Sequence, residues 1–233
     1  ILFDIMLHIG TLLAVFIYFR ADLTVLTKTF FKSIKDGTLK TNYEAQIPLY
    51  IIIGTISTIA VAYPLRDFFK SLVDNPLIVG LLLIVTGVLL YSTEFLSEKI
   101  TTKAKNVTWK KSVLIGIAQG LAVAPGISRS GSTIAAGLAA GLDRVTAARY
   151  SFLLSIPIIV LAALFHIADM GQANELMNCN WLAIIIGTAI SAIVGYYCIK
   201  YFIIFISKRK LNVFAIYCWI VGLITIIFFG NIF

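Results

Sequence analysis

The chain has 233 residues, of which 60% are hydrophobic and 13% charged, with a mean hydropathy of +0.97. A soluble domain carries about 25% charged residues, so these values exclude a soluble globule and indicate an all-α, polytopic integral membrane protein. The net charge of +8 is then a matter of membrane topology and not a nucleic-acid footprint.

The chain opens Ile1-Leu2-Phe3-Asp4, without Met or a basic leader and cleavage site. It reads as a fragment lacking its true N-terminus and not as a signal peptide. A bilayer span needs about 20 mostly apolar residues. Six segments qualify, near 3–19, 47–64, 76–96, 148–167, 181–206 and 211–230, and the stretches 20–46, 65–75 and 97–111 read as loops. The region 112–141 is different. It has too many residues for one span and too few for two, and Pro125-Gly126 breaks it near its centre. At 1.5 Å per residue each arm covers about 15–20 Å, roughly half of a hydrocarbon core of about 30 Å. Two half-helices meeting at a polar tip form a re-entrant hairpin, and irregular backbone at that depth is tolerated only where it lines a cavity or is buried in protein.

The basic residues support the hairpin. If 112–141 re-enters, the segments 20–46, 97–111, 141–149 and 200–210 share one side and hold 16 of the 19 Lys and Arg residues. If it spans, the split becomes 10 against 8. The positive-inside rule selects the hairpin, with the basic side cytoplasmic and both chain ends outside. The expected organisation is one polytopic domain over 1–233 with two repeats. The first is a truncated 1–97; the second is 112–233 and begins with the hairpin. Their odd number of spans gives inverted topology, as in many transporter folds, and the symmetry implies a first hairpin ahead of residue 1.

Within the hairpin, Gly116, Gly120, Gly126, Gly131, Gly137 and Gly141 alternate with alanines, a small-residue spacing that lets helices approach closely in lipid. Packing alone would account for such glycines, but not for Arg129. It is the only charged residue between Ser112 and Gly141, and a charge at that depth costs several kcal/mol unless something receives it. Ser128, Ser130, Ser132 and Thr133 are N-cap types, so the second half-helix starts there with free N–H groups beside a guanidinium. Helix N-termini bind phosphate in this way, Arg adds planar bidentate recognition, and Gly126 and Gly131 permit close approach. The expected ligand is phosphate or diphosphate.

A base is harder to find. His8 follows Asp4 by four residues and could pair with it; His166 ends the fourth span; Glu94 reads as a helix-end acid. The two histidines each suit an interfacial or packing role better than a catalytic one. Cys198 and Cys218 lie in apolar runs and Cys179 in a loop, so neither a disulfide framework nor a metal set is indicated. A Ser-Arg-x5-His-x3-Asp pattern would point to phosphohistidine lipid phosphatases, but those positions are Ala135 and Ala139. That chemistry is excluded.

The run Gly116-Ile-Ala-Gln119-Gly-Leu-Ala-Val-Ala-Pro125-Gly126-Ile-Ser128-Arg129-Ser130-Gly131-Ser-Thr133, followed by Ser151-Phe-Leu-Leu-Ser-Ile-Pro157, closely resembles the undecaprenyl-diphosphate phosphatase family associated with bacitracin resistance. Phe3-Asp-Ile-Met-Leu-His-Ile-Gly10-Thr-Leu-Leu-Ala-Val15 resembles that family's first long span, and Phe214-Ala-Ile-Tyr217 also fits, so the likeness covers essentially the whole chain. It implies an inverted-repeat, multi-pass plasma-membrane hydrolase with two re-entrant hairpins. Its expected reaction removes the terminal phosphate of undecaprenyl diphosphate and so recycles the lipid carrier of peptidoglycan precursors. By motif, Arg129 and Ser128 would be catalytic, with Gln119, Gly126, Ser130, Gly131 and Thr133 binding substrate. The likeness also implies a divalent cation, Mg²⁺ or Ca²⁺. The partners expected are a polyprenyl diphosphate and membrane lipid, with a homodimer left open and no nucleic acid.

One departure stands out. Family members carry an earlier motif with two glutamates and a Pro-x-Ser-Ser-x-Gly-His stretch, which is absent from these residues, and His8 falls where the family usually has Gln. The chain alone is therefore expected to be inactive. The rival reading is a lipid or anion transporter, because broken helices meeting near the midplane also bind transported substrates.

Overall fold

The computed structural model describes residues 2–100, 103–169 and 180–229. For Asp4, Glu98, Lys99 and 166–169 only the backbone is described, so the Asp4–His8 pairing and His166 fall outside it, as does Cys179. The described residues form α1 (Leu2–Tyr18), α2 (Arg20–Lys35), α3 (Tyr43–Leu72), α4 (Pro76–Lys99), α5 (Trp109–Leu121), α6 (Arg129–Ala139), α7 (Arg144–Asp169), α8 (Trp181–Lys208) and α9 (Asn212–Phe229). Among these residues there is no strand beyond one isolated bridge, between Ala104 and Leu142.

Five helices, α3, α4, α7, α8 and α9, are long and apolar enough to cross a bilayer, and the bent pair α1–α2 raises the number to six. The expected all-helical membrane architecture is therefore observed. Two boundaries differ from expectation. The 20–46 stretch is not simply a loop, because α2 occupies its first half at 71° to α1. Leu26 and Ser33 are buried on one side of α2, whereas Lys28, Lys32 and Lys35 are exposed on the other. Likewise α3 continues to Leu72 with Pro48 and Pro64 inside it, so Arg66 and Lys70 lie on a helix and not in a loop.

The chain forms two compact units, one from 1–46 and 152–205, the other from 47–151 and 206–233. In the first, the Ser191 hydroxyl of α8 donates to Leu7 O of α1 at 2.8 Å. Phe19, 2% exposed at the α1–α2 bend, meets the rings of Tyr18 and Phe152. Burying an aromatic at a bend ties both helices to one core.

The second unit holds the hairpin. With 13 and 11 residues, α5 and α6 are only about 20 and 16 Å long, too short to cross. Their outer ends meet: Ala104 N–H donates to Gly141 O at 2.8 Å, and Asp143 N–H donates to Ala104 O at 3.1 Å. The chain thus leaves the hairpin where it came in. Gly141, at φ +81°, ends α6 in a Schellman-type cap, with Leu142 N–H on Gly137 O at 3.0 Å.

Joined ends predict a labelling result. Single cysteines at Lys105 and Ala139, both exposed, in a background free of Cys179, Cys198 and Cys218, should react with an impermeant thiol reagent from the same side of the membrane. Reaction from opposite sides would rule out re-entrance.

The hairpin is braced at three levels. At its base, the hydroxyls of Ser112 and Tyr150 meet at 2.6 Å and both donate to Tyr50 O. Midway, Gly116 is pressed against α3 so closely that a Cβ would lie 2.3 Å from Gly54 O, and Thr58 Oγ1 donates to Gly116 O at 3.0 Å. At the tip, α4 takes over from α3.

A buried ion pair closes the same unit. Glu94 of α4, with a side chain 3% exposed, pairs with Arg144 at the start of α7 and accepts Leu211 N–H, just before α9, at 2.9 Å. Glu94 is therefore not a solvated helix-end acid. It joins three elements.

Candidate active site at the hairpin tip

The tip is residues 122–128, between the two half-helices. Gly126 adopts φ +89°, a left-handed conformation that L side chains rarely take, and a Cβ there would lie 2.5 Å from Val79 O. Both facts require glycine. The turn it makes lets Ser128 act as N-cap of α6, with ψ of 114° and its Oγ accepting Gly131 N–H at 3.1 Å. Ser128 O accepts Ser132 N–H at 2.8 Å.

Two N–H groups of the first turn are left over. Those of Arg129 and Ser130 find no acceptor among the described residues. They carry the positive end of the α6 dipole. The Arg129 guanidinium, half-buried, has no hydrogen-bond or ion-pair partner among the described residues, and Ser130 is exposed. The Ser128 hydroxyl uses a lone pair on Gly131 and keeps its proton available as a donor. Two backbone donors, a guanidinium and a hydroxyl thus lie within three consecutive residues, a donor set of the kind that suits an anion.

Of the residues selected from the sequence, Gly126 and Ser128 lie in this tip and Arg129, Ser130 and Gly131 in the first turn of α6 that follows it. The other two have polar groups committed to helix packing. Gln119, 1% exposed, donates its amide to Thr58 Oγ1 at 3.1 Å and braces α5 on α3. Thr133, also 1% exposed, donates back to Arg129 O and meets Ser151 Oγ of α7 at 2.5 Å. Thr86 escaped the sequence reading. From α4 it donates to Gly126 O at 3.1 Å and accepts Ser128 N–H at 3.3 Å. Its one sequence signal is a hydroxyl in a span, where Ser and Thr hydrogen-bond between helices.

The divalent ion implied by the family likeness is not matched by ligands here. Among the described residues no three His, Cys, Asp or Glu side chains are placed to hold a metal ion. The tip offers hydroxyls and a cation, which do not fit a divalent metal ion.

Comparison with known proteins shows the family. The family model described as "Bacitracin resistance protein BacA" matches residues 1–224. The chain belongs to that family. It is 43% identical over 227 residues to a Halothermothrix orenii protein named undecaprenyl-diphosphatase, covering 97% of this chain and 83% of the relative. A Methanosphaera stadtmanae protein of the same name is 42% identical over 234 residues, with 97% and 83% covered. A Methanothermobacter thermautotrophicus undecaprenyl-diphosphatase is 45% identical over 175 residues, covering 74% of this chain and 95% of the relative.

Proposed function

We propose that the protein is a membrane hydrolase that converts undecaprenyl diphosphate to undecaprenyl phosphate and phosphate. The observation that carries this reading is the donor set at the tip without protein acceptors among the described residues, Arg129 and Ser130 N–H with the Arg129 guanidinium, in a chain whose relatives bear that enzyme's name. In hydrolysis, water attacks the terminal phosphorus and the bridging P–O bond breaks, leaving charge on the transferred group and on the lipid phosphate. Preorganised donors stabilise such charge more than water does, because they need no reorganisation. Arg129 would hold two terminal oxygens in its planar fork, the two N–H groups a third, and the Ser128 hydroxyl would donate to the bridge or the lipid phosphate. Gly126 and Gly131 let the tip close tightly on Val79 and on Ser128, which holds these donors in place.

The hairpin contains no Asp, Glu or His between Trp109 and Gly141, so it supplies binding and charge stabilisation while the base comes from outside it. Hard oxygen donors for a divalent ion would be the substrate's own phosphates. The lipid product suits a plasma-membrane location and a role in renewing the cell-wall carrier, with bacitracin resistance following from that renewal. A transporter would share the anion site but not the chemistry. Full-length protein, purified in detergent and given undecaprenyl diphosphate, should release inorganic phosphate. Vesicles that move the lipid across the bilayer without releasing phosphate would favour transport instead.

A further inference from the structure

Resting on that reading of the tip, we propose that Thr86 of α4 is a positioning residue: its hydroxyl locks the turn so that the Arg129 and Ser130 N–H groups point, unpaired, at the anion. Thr86 is 1% exposed, and its Oγ1 makes three contacts. It donates to Leu82 O of its own helix at 3.0 Å and to Gly126 O at 3.1 Å, sharing one proton, and accepts Ser128 N–H at 3.3 Å.

The Gly126 carbonyl and the Ser128 N–H flank Ile127, so a single oxygen fixes both peptide planes on either side of the tip residue. This has two consequences. The Ser128 N–H is turned toward α4 and removed from the set facing the ligand. The anchored Ser128 peptide is the frame from which the cap, at φ −69° and ψ 114°, starts α6, so its orientation carries into the direction of the next two N–H groups.

Thr58 shows the same device on α3. Its Oγ1 donates to Gly54 O at 2.8 Å and to Gly116 O at 3.0 Å, and accepts the Gln119 amide at 3.1 Å. There the tether holds a helical carbonyl in mid-arm, whereas at Thr86 it holds the irregular backbone of the site. Only the second holds backbone that leads directly into the donors assigned to the anion. The rest of the turn is tied down by short-range bonds, such as Ile127 N–H on Ala124 O at 3.2 Å. None of these orients the Ser128 peptide.

The test uses the full-length protein purified in detergent, with inorganic diphosphate as a competitive probe of the tip and undecaprenyl diphosphate as substrate. Thr86→Val keeps the shape and removes the hydroxyl; it should raise both the diphosphate Ki and the substrate KM about tenfold or more. Thr86→Ser restores the hydroxyl and should stay within about threefold of the parent. Thr93→Val removes a hydroxyl on the same helix that bonds, among the described residues, only to Leu89 O and should leave Ki unchanged.

A Thr86→Val protein with parental Ki and only a lowered Tm would overturn the proposal by making the tether structural. Equal impairment by Val and Ser would overturn it too, by assigning the effect to packing. The underlying reading is checked separately with Arg129→Ala. If that variant also binds diphosphate normally, the tip is not the anion site; if it loses binding while Thr86→Val does not, the positioning role alone fails.

Discussion

Replacing Arg129 by alanine is expected to lower kcat/KM for undecaprenyl diphosphate by at least about 100-fold, a loss of roughly 3 kcal/mol or more, by analogy with removing one oxyanion donor. The guanidinium is half-buried and unpartnered among the described residues. Its removal therefore breaks no internal bond, and the loss falls on the ligand. Arg129→Lys keeps the charge but not the planar fork and should remain impaired at least about tenfold, since each factor of ten is 1.36 kcal/mol. Ser128→Ala removes a neutral donor together with the cap on Gly131 N–H; losing the cap costs about 1 kcal/mol of local stability. Its kinetic effect should be smaller than that of Arg129→Ala. Phosphate-release kinetics on protein verified as folded provide the measurement. Near-normal kcat/KM for Arg129→Ala would make the residue structural and remove the site assignment.

The site was legible to the extent that its signals are local. Arg129 stands out because a single charge in an apolar run contradicts its surroundings, and Pro125-Gly126 marks the break directly. Segment length against bilayer thickness then decides between spans and half-helices. Thr86 was not legible, because its contact with Ser128 joins residues 42 apart in sequence and no periodicity encodes which helix lies behind the tip.

Glu94 was misread for a related reason. A carboxylate near the end of an apolar run resembles a solvated terminus until Arg144, 50 residues later, is seen beside it. The α2 helix was missed because a search for long apolar runs passes over amphipathic helices, although Leu23, Leu26, Phe30 and Ser33 follow a helical stripe that the structure turns inward. The extension of α3 was hidden by Pro64 and Arg66, which read as loop signals in water. In membrane proteins a proline is tolerated inside a helix, and charged residues then follow where the helix leaves the hydrocarbon.

The largest expected effect on stability belongs to Glu94. Glu94→Ala leaves Arg144, only 21% exposed, without its carboxylate, and Arg144 Nε already lacks a partner. It also orphans Leu211 N–H at the start of α9. Breaking one side of a buried pair costs about 3–5 kcal/mol, because the other charge is left uncompensated, so thermal unfolding in detergent should shift down by many degrees. Removing both charges should hurt less: Glu94→Leu with Arg144→Met eliminates the stranded cation and fills the space, leaving mainly the unpaired Leu211 N–H at about 1–3 kcal/mol. The charge-reversed pair Glu94→Arg with Arg144→Glu should not recover, since an arginine at 94 cannot accept from Leu211. This ranking separates an electrostatic clasp from simple packing. If the charge-reversed protein melts like the parent, the bond to Leu211 contributes nothing, and the joining of α4, α7 and α9 through one carboxylate is wrong. If Glu94→Ala itself melts like the parent, the pair is no clasp at all.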